Sequence, residues 1–204
     1  ANKLDALKTH KKGLMQQLFP AEGETLPRLR FPEFREAGEW NENTLGVVCD
    51  LYQPTTLSSS ELNTEGNFLV YGANGVIGKH DRYNHAESEI TVTCRGATCG
   101  EVTRTAPKSW ITGNSMVVHP KNDHLTKNFI FYYLANHGMK SVISGSAQPQ
   151  ITRAGFAPLR ISYPKPGEQQ EIADCLTALD DLIAAQAQKI ELLKRHKKGL
   201  MQQL

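Results

Sequence analysis

Apolar residues recur at alternating steps of four and three through the C-terminal segment of the chain. This spacing puts one residue per turn on a single stripe, which is the a/d pattern of a coiled-coil helix. The pattern predicts a helix from about Glu168 to the end, roughly 55 Å long. Gln186 and Lys197 are polar members that weaken the seam and favour one register. The stripe consists of Ile172, Leu176, Leu179, Ile183, Gln186, Ile190, Leu193, Lys197, Leu200 and Leu204.

The beginning of the chain repeats its end. Residues 3–18 (KLDALKTHKKGLMQQL) align without gaps on residues 189–204 (KIELLKRHKKGLMQQL), and 12 of the 16 positions are identical. The offset of 186 residues is the length of a domain, so we expect one full unit between the copies. A single amphipathic helix leaves its seam uncovered, so it needs a partner in the same chain or in another. Two interpretations fit this pattern. The helix serves only to pack against another helix, or it also sets the distance between two functional domains.

Between the two copies, short β-type runs are separated by Gly, Asn, Ser and Pro. The predicted strands are residues 68–71, 89–95, 115–119 and 159–163, and the predicted helix is residues 126–136. We expect Trp40 to anchor this region by packing with Leu45 and Val47.

The predicted fold class is therefore α+β. It combines one globular, loop-rich domain with a long C-terminal coiled-coil helix and a short N-terminal helix that repeats its end. We place the boundaries at residues 1–18, 19–166 and 167–204.

The composition is that of a folded protein, since 39% of the 204 residues are hydrophobic and 22% are charged. No run of 18 apolar residues occurs and the N-terminus is lysine-rich, so we expect neither a membrane span nor a secretory signal. Four scattered cysteines predict reduced thiols rather than a disulfide framework. These features predict a cytoplasmic protein with no membrane partner.

A net charge of +2 conceals a strongly basic block. Residues 102–167 carry eight basic side chains against one acidic side chain, Asp123. This composition is typical of a surface that faces a polyanion, although a solvated basic face is as common an explanation. The eight are Arg104, Lys108, Lys121, Lys127, Lys140, Arg153, Arg160 and Lys165.

Catalytic and metal-binding patterns are weak in this sequence. The glycines of YGANGVIG (71–78) resemble a nucleotide-binding turn, but polar residues follow them where a phosphate-binding helix is needed. Cys94 and Cys99 with His80 or His85 offer zinc ligands, yet a second matching pair is missing and core thiols are favoured. The Asn/Asp-Pro-Pro-Tyr/Phe stretch of amino-methyltransferases is also missing. We therefore expect no metal and no cofactor.

The remaining candidates are polar donors in glycine-containing loops. Arg and Lys suit phosphates and guanine, whereas Asn and Gln suit adenine, so the mixture fits base-edge readout better than bulk polyanion binding. For any single member, an ordinary turn residue is the alternative. The candidate DNA-binding residues are Tyr71, Gly72, Asn74, Lys79, Arg95, Thr98, Lys108, Thr112, Asn114, Ser144, Ser146, Gln148 and Gln150.

Six segments of the chain form an ordered combination: GEWNENTLGVVC (38–49), YGANGVIG (71–78), CRGATCGEVTRT (94–105), ITGNSMVV (111–118), SGSAQPQIT (144–152) and LRISYPKPGEQQEIADCL (159–176). Taken in this order, they resemble the specificity subunit of type I restriction-modification systems. Each segment is weak alone, but the ordered combination is specific and covers nearly the whole chain. The usual subunit has two recognition domains and two long helices paired antiparallel, whereas this chain has one recognition domain and the tail of a preceding helix. It therefore resembles a half-length subunit or the second half of a full one.

The resemblance implies a target-recognition domain that binds one half of a split double-stranded DNA sequence. It implies a long helix that acts as a ruler and docks adenine-methyltransferase subunits, and through them the restriction subunit. Methyl transfer and cleavage belong to those subunits, so the chain is expected to be non-catalytic. Its further partner is a second copy in a homodimer, or a second specificity half. The expected dimerisation residues are Ile172, Leu176, Leu179, Ile183, Ile190 and Leu193.

Two rival classes make different predictions. A structural coiled-coil adaptor with a non-specific polyanion-binding domain would bind DNA without sequence preference. A stand-alone enzyme would turn over DNA without other subunits.

Overall fold

The structure is a computed structural model that describes residues 2–21, 23–73, 75–145 and 147–202. The chain divides into two compact units, Ala1–Glu39 with Gln170–Leu204, and Trp40–Gln169. Residues 19–39, which the sequence pattern groups with the globular domain, lie in the first unit. Within the described ranges, no helix is long and apolar enough to cross a lipid bilayer.

Five helices and nine strands make up the described secondary structure, with two short 3-10 turns at Pro32–Phe34 and Ser59–Glu61. The helices are α1 (Asn2–Leu18), α2 (Leu45–Val48), α3 (Lys127–His137), α4 (Arg153–Phe156) and α5 (Pro166–Met201). The strands are β1 (Asn41–Thr44), β2 (Cys49–Tyr52), β3 (Phe68–Gly72), β4 (Gly75–His80), β5 (Ile90–Thr93), β6 (Val102–Arg104), β7 (Trp110–Ile111), β8 (Ser115–Pro120) and β9 (Arg160–Tyr163). This mixture of elements confirms the α+β class, the long C-terminal helix and the N-terminal helix.

Three small sheets form the Trp40–Gln169 unit. The largest is antiparallel with the order β2-β8-β5-β6, and β1 pairs antiparallel with β9. In the third sheet, β3 lies between β4, to which it is antiparallel, and β7, to which it is parallel. All four residues of β5 are buried, as expected for a central strand covered on both faces.

Helix α3 contacts the β5 and β6 strands of the largest sheet. Its sequence favours a helix here because Thr126 caps the N-terminus, where its hydroxyl oxygen accepts a hydrogen bond from Phe129 N at 3.3 Å. Gly138, with φ of 74°, ends it. The buried face of α3 carries Phe129, Ile130, Tyr132, Tyr133 and Leu134.

The predicted elements of this unit agree with the observed bounds to within one or two residues at most ends. The expected strand over residues 89–95 is shorter, because the chain leaves the sheet after Thr93 and Arg95 forms an isolated bridge to Gln150 instead. Trp40 is buried as predicted and its ring lies edge-on to Phe129, 5.7 Å between centroids.

One predicted anchor residue is wrong. Val47 is 61% exposed, whereas Leu45 and Val48 are buried in the single turn of α2. In a strand, Leu45 and Val47 would face the same side, whereas in a helical turn residues three apart do so. Val48 therefore takes the buried position that was expected for Val47. Backbone bonds from Leu45 N to Leu159 O (2.8 Å) and from Gly46 N to Ala157 O (3.0 Å) hold the turn in place.

The first unit contains α1 and most of α5. Pro166 at the start of α5 suits the first helical turn, where its missing N–H costs nothing, and Glu168 places negative charge at the helix N-terminus. The helix continues through Gly199, so that glycine does not end it. Lys11 of α1 donates to Asp180 of α5 at 2.5 Å.

Candidate nucleic-acid interface

Four of the sequence segments that carry candidate donors meet in the Trp40–Gln169 unit. The Thr98 hydroxyl donates to the carbonyl of Ala73, which brings the 96–100 turn to the β3–β4 hairpin. Cys94 N donates to Asn114 O at 2.8 Å, and Ile151 N donates to Cys94 O at 2.9 Å. The loop cluster, defined as residues 72–73, 75, 95–98, 112–114, 144–145 and 147–150, is thus held together by one side-chain hydrogen bond and two backbone hydrogen bonds.

The glycines of residues 71–78 lie in a β-hairpin, where Gly72 ends β3 and Gly75 and Gly78 belong to β4. They connect β3 to the strand β4, so the segment lacks the helix that a phosphate-binding turn requires. These glycines therefore belong to a β-hairpin and not to a phosphate-binding turn.

Three glycines in the loop cluster have backbone conformations that disfavour other residues, and one of them, Gly75, has φ of 74° at the start of β4. Gly96 has φ of 87° and Gly145 has φ of 81°. A Cβ on Gly145 would lie 2.6 Å from the Gln148 carbonyl oxygen, so this turn requires glycine for space as well. These positions give the two loops their shapes.

Three predicted contact residues lie inside the protein. Tyr71, Gly72 and Thr112 are buried, and the Tyr71 hydroxyl accepts a hydrogen bond from Ala106 N at 3.0 Å. Thr112 N donates to Tyr71 O at 2.9 Å. The side chains of Tyr71 and Thr112 therefore pack inside the domain beneath the loops.

The other predicted residues differ in exposure and position. Thr98 and Asn114 are half-buried, and the exposed Ser144 donates its hydroxyl to Gln150 O at 3.2 Å. Lys79 and Lys108 are exposed but lie outside the loop cluster, where their backbones bond to Asn63 and Ala86. Asn74 and Ser146 lie outside the described residues.

Three exposed candidates, Arg95, Gln148 and Gln150, share one cavity. All three are exposed, and they line an open cavity of about 610 Å³ between residues 95–97 and 147–150. Their side chains make no hydrogen bond or ion pair with any residue that the structure describes. The cavity therefore presents one guanidinium and two amides to solvent.

Half of the basic block is neutralised or packed within the domain. The Arg104 guanidinium carbon lies 4.6 Å from the centre of the Phe131 ring, and Arg160 donates to Glu42 at 2.9 Å. Lys121 donates to Gly46 O at 2.8 Å. Lys127 is bonded to Glu87, Glu89 and a carbonyl. Among described residues, no side-chain partner is found for the other four: Lys108, Lys140, Arg153 and Lys165.

The cysteines near the loop cluster are core thiols. Burial raises the pKa of the Cys94 thiol to about 11 and that of Cys49 to about 12, so both stay protonated at neutral pH. Within the described ranges, no group of three or more His, Cys, Asp or Glu side chains is arranged to hold a metal ion. The zinc alternative for Cys94 and Cys99 has no geometric support.

A polar network near β5 was not anticipated from the sequence. Buried Glu89 accepts from Lys127 at 3.0 Å and pairs with His119 at 3.0 Å. Beside it, His85 bonds to the Tyr52 hydroxyl at 3.0 Å, and burial lowers the pKa of His85. The two residues of each of these bonded pairs are 30 or more positions apart along the chain, so only folding brings them together.

The seam of α5 is covered to different degrees along its length. Ile172 and Leu176 are buried, Leu179, Ile183 and Ile190 are half-buried, and Leu193 is 59% exposed. The N-terminal copy is covered better, because Leu4, Leu7, Lys11 and Leu14 are half-buried and Leu18 is buried. Leu204 lies outside the described residues.

Comparison with known proteins places these features in one family. Residues 37–195 match the family model described as "Type I restriction modification DNA specificity domain". The type I restriction enzyme MjaVIII specificity subunit of Methanocaldococcus jannaschii is 31% identical over 121 residues, which are 58% of this chain and 28% of that protein.

Two solved structures share the fold. The S subunit of a type I restriction-modification system from M. genitalium has a TM-score of 0.68 at 20% identity, covering 76% of this chain and 43% of that one. A chain from a study of complex assembly and conformational transition of the type I R-M system has a TM-score of 0.68 at 22% identity, covering 95% of this chain and 50% of that one. The chain thus spans half or less of the length of these relatives.

Proposed function

The chain belongs to the type I restriction-modification DNA specificity family, and from that premise we propose that its Trp40–Gln169 unit binds one half of a split double-stranded DNA site. The observation that carries the proposal is the loop cluster, in which exposed and unpaired Arg95, Gln148 and Gln150 surround one polar cavity. Free guanidinium and amide groups are the side chains that recognise base edges in the major groove.

The remaining free cations support the same proposal. Lys108, Lys140, Arg153 and Lys165 are exposed and have no acidic partner among the described residues. Cations of this kind bind phosphates and position a protein on DNA without reading its sequence. The proposed division of labour is therefore base readout at the cavity and phosphate binding by surrounding lysines and arginines.

In this proposal the chain is non-catalytic and acts in the cytoplasm. It gives sequence specificity to adenine-methyltransferase subunits and, through them, to the restriction subunit. Family membership supports these partners, and a type I R-M assembly is the subject of one of the structural relatives.

We further propose that α5 pairs with the α5 of a second copy, or with a second specificity half that carries the same stripe. The 12 identities between residues 3–18 and 189–204 support a particular register. Lys11, in the N-terminal repeat, binds Asp180 of the same chain. Lys197 occupies the equivalent position in the C-terminal repeat. An antiparallel pair in which Lys197 meets the partner's Asp180 has its two-fold axis between Gln188 and Lys189.

In this register, the N-terminal repeat of one chain and the C-terminal repeat of its partner compete for the same surface of α5 around Asp180. The exposed seam of residues 190–201 on one chain would take the place that α1 has beside Asp180 on the other. Because the sequences are nearly the same, the surface that accepts α1 also accepts the C-terminal copy. A second specificity half with its own upstream helix would satisfy the same register without displacing α1.

The test is to co-express the chain with the adenine-methyltransferase subunit encoded beside it in an unmethylated host and to map every methylated adenine. An interrupted palindrome is expected for a pair of identical chains, since a two-fold axis relates the half-sites. An asymmetric split site is expected for association with a different half.

A structural adaptor would give a different result. It would show salt-dependent DNA binding with no sequence preference and no defined methylation site. Absence of both methylation and duplex binding would overturn the proposal.

A further inference from the structure

We infer that the cavity between residues 95–97 and 147–150 is the base-reading site of the domain, with Arg95 recognising a guanine and Gln150 an adenine in the neighbouring base pair. This inference rests on the proposed function, because it names which side chains distinguish bases once the domain is on DNA. It singles out two of the many polar residues in the loop cluster.

The backbone beneath the two side chains is fixed from several directions. Arg95 and Gln150 face each other in an antiparallel bridge. Gln150 N donates to Ser144 O at 2.8 Å, and Ser144 N donates back to Gln150 O at 2.9 Å. On the other side, buried Cys94 bonds through its backbone to Asn114 and Ile151. A site held in this way is preorganised, so less ordering of the chain opposes binding.

The bridge also sets the direction of the two side chains. Residues directly opposite each other in an antiparallel pair have Cβ atoms about 4.5–5.5 Å apart and project from the same face. Base pairs in a duplex are about 3.4 Å apart along the axis. Two long side chains on neighbouring positions of one face therefore suit two neighbouring base pairs.

Each side chain matches one base by its hydrogen-bonding geometry. An arginine fork donates to both O6 and N7 of guanine, and a glutamine amide donates to N7 and accepts from N6 of adenine. Both side chains are exposed and unpaired among the described residues, so binding requires no internal bond to break. By contrast, Arg104 and Arg160 are already engaged by Phe131 and Glu42.

The space around the pair permits close approach of DNA. The cavity of about 610 Å³ is open and its lining is mainly polar. Gly96, next to Arg95, has nothing within 4 Å of the position that a Cβ would occupy. The edge of a base can approach the backbone at Gly96 without meeting a side chain at that position.

The inference is tested in the assembled methyltransferase complex with Arg95→Ala, Arg95→Lys and Gln150→Ala. Initial methylation rates are measured on duplexes that carry the recognised site and on all its single-base-pair variants. Arg95→Ala should lower discrimination at one G·C position by roughly 10- to 100-fold and leave the other positions unchanged. Gln150→Ala should do the same at an adjacent A·T position.

Arg95→Lys keeps the positive charge and can still donate to guanine, but it loses the planar fork, so it should lose part of the discrimination at the same position. The control is Lys140→Gln, an exposed cation away from the cavity, which should change rates on all duplexes by the same factor. Thermal melts establish that each variant is folded; Arg95→Lys preserves charge and length, so it serves if Arg95→Ala unfolds.

A uniform effect of Arg95→Ala or Arg95→Lys across all duplexes would make Arg95 a phosphate contact and overturn the inference, while the proposed function stands. Unchanged discrimination at every position with Arg95→Ala would also overturn it. If the unsubstituted complex has no sequence preference, the proposed function fails and the inference fails with it.

Discussion

Two threonines of the globular unit illustrate how the surroundings of a hydroxyl determine its contribution. Thr126 accepts from Phe129 N at 3.3 Å and caps α3, and its own N–H donates to Gln169 Oε1 at 2.9 Å. Thr112 is 1% exposed, and its hydroxyl has no hydrogen-bond partner among described residues. The first hydroxyl stabilises an element, whereas the second is buried without compensation.

Replacing Thr112 with Val should therefore leave the free energy of unfolding unchanged or raise it by up to about 1 kcal/mol, because an unpaired buried hydroxyl is removed. The matched control, Thr126→Val, should lower it by about 1 kcal/mol because the cap is lost. Urea denaturation of both variants measures the difference. A larger loss for Thr112→Val than for Thr126→Val would mean that the Thr112 hydroxyl has a partner.

Thr112→Val also tests the prediction that Thr112 contacts DNA. If Thr112 only positions the loops, Thr112→Val keeps the methylation site of the complex. A changed site at unchanged stability would assign Thr112 to DNA recognition.

At the level of helices, the two copies of one sequence differ in their surroundings. Leu7 of α1 is half-buried, whereas Leu193, at the same position of the repeat, is 59% exposed. Sequence alone does not distinguish them, since the residues are the same. The difference arises because α1 lies beside Asp180, while the C-terminal copy has no covering helix among the described residues.

Leu192 and Leu193 provide a matched test of the proposed α5 pairing. Both are exposed to about the same degree, 63% and 59%, but only Leu193 is on the a/d stripe. Leu193→Asp should weaken pairing by about 100-fold or more, since each buried leucine contributes about 1.5–3 kcal/mol and a symmetric pair loses two. Leu192→Asp should have little effect on pairing.

Analytical ultracentrifugation over a range of concentrations measures the two dissociation constants. Equal dissociation constants for the two variants would contradict pairing through this stripe. Neither substitution should alter thermal stability of the single chain, because both side chains are already exposed.

At the scale of the whole molecule, the proposed pair of helices sets the distance between two DNA-binding units. Inserting one heptad between Gln188 and Lys189 keeps the seam aligned and adds about 10 Å. We expect the methylated site to keep its two half-sites and to gain roughly three base pairs between them. Methylation mapping of the co-expressed complex measures this spacing.

An insertion of five residues at the same point is the control. It rotates the downstream stripe by about 140° relative to the upstream one, so pairing and methylation should be lost. An unchanged spacing with the heptad insertion would show that the helices do not set the distance.

Much of the architecture follows from local pattern. The 3.5-residue spacing from Ile172 onward predicts α5, and the β-type runs at residues 68–71 and 115–119 predict strands β3 and β8. Periodicity suffices for such elements because a helix stripe or a strand face reflects only neighbouring residues. Val47 is the exception in this region, since the single turn of α2 changes which residue faces inward.

The candidate site follows from sequence only in part. Residue type alone predicts Arg95, Gln150, Tyr71 and Thr112 equally well as DNA-binding donors. In the structure the first two are exposed and the last two are buried. The composition of the basic block likewise does not show that Lys127 is bound to Glu87 and Glu89. Which donors remain free depends on the partners that folding brings to each one.

The sequence by itself determined the α+β class, the helical repeat, the family resemblance and the set of polar candidates, because these depend on spacing and residue type along the chain. Only the tertiary structure decided that the four loops meet, that Arg95 lies opposite Gln150, and that half of the basic block is internally engaged. The physical reason is that burial and pairing are made by residues distant in sequence, as in the bridge between positions 95 and 150. Such contacts leave no periodic trace in the order of the residues.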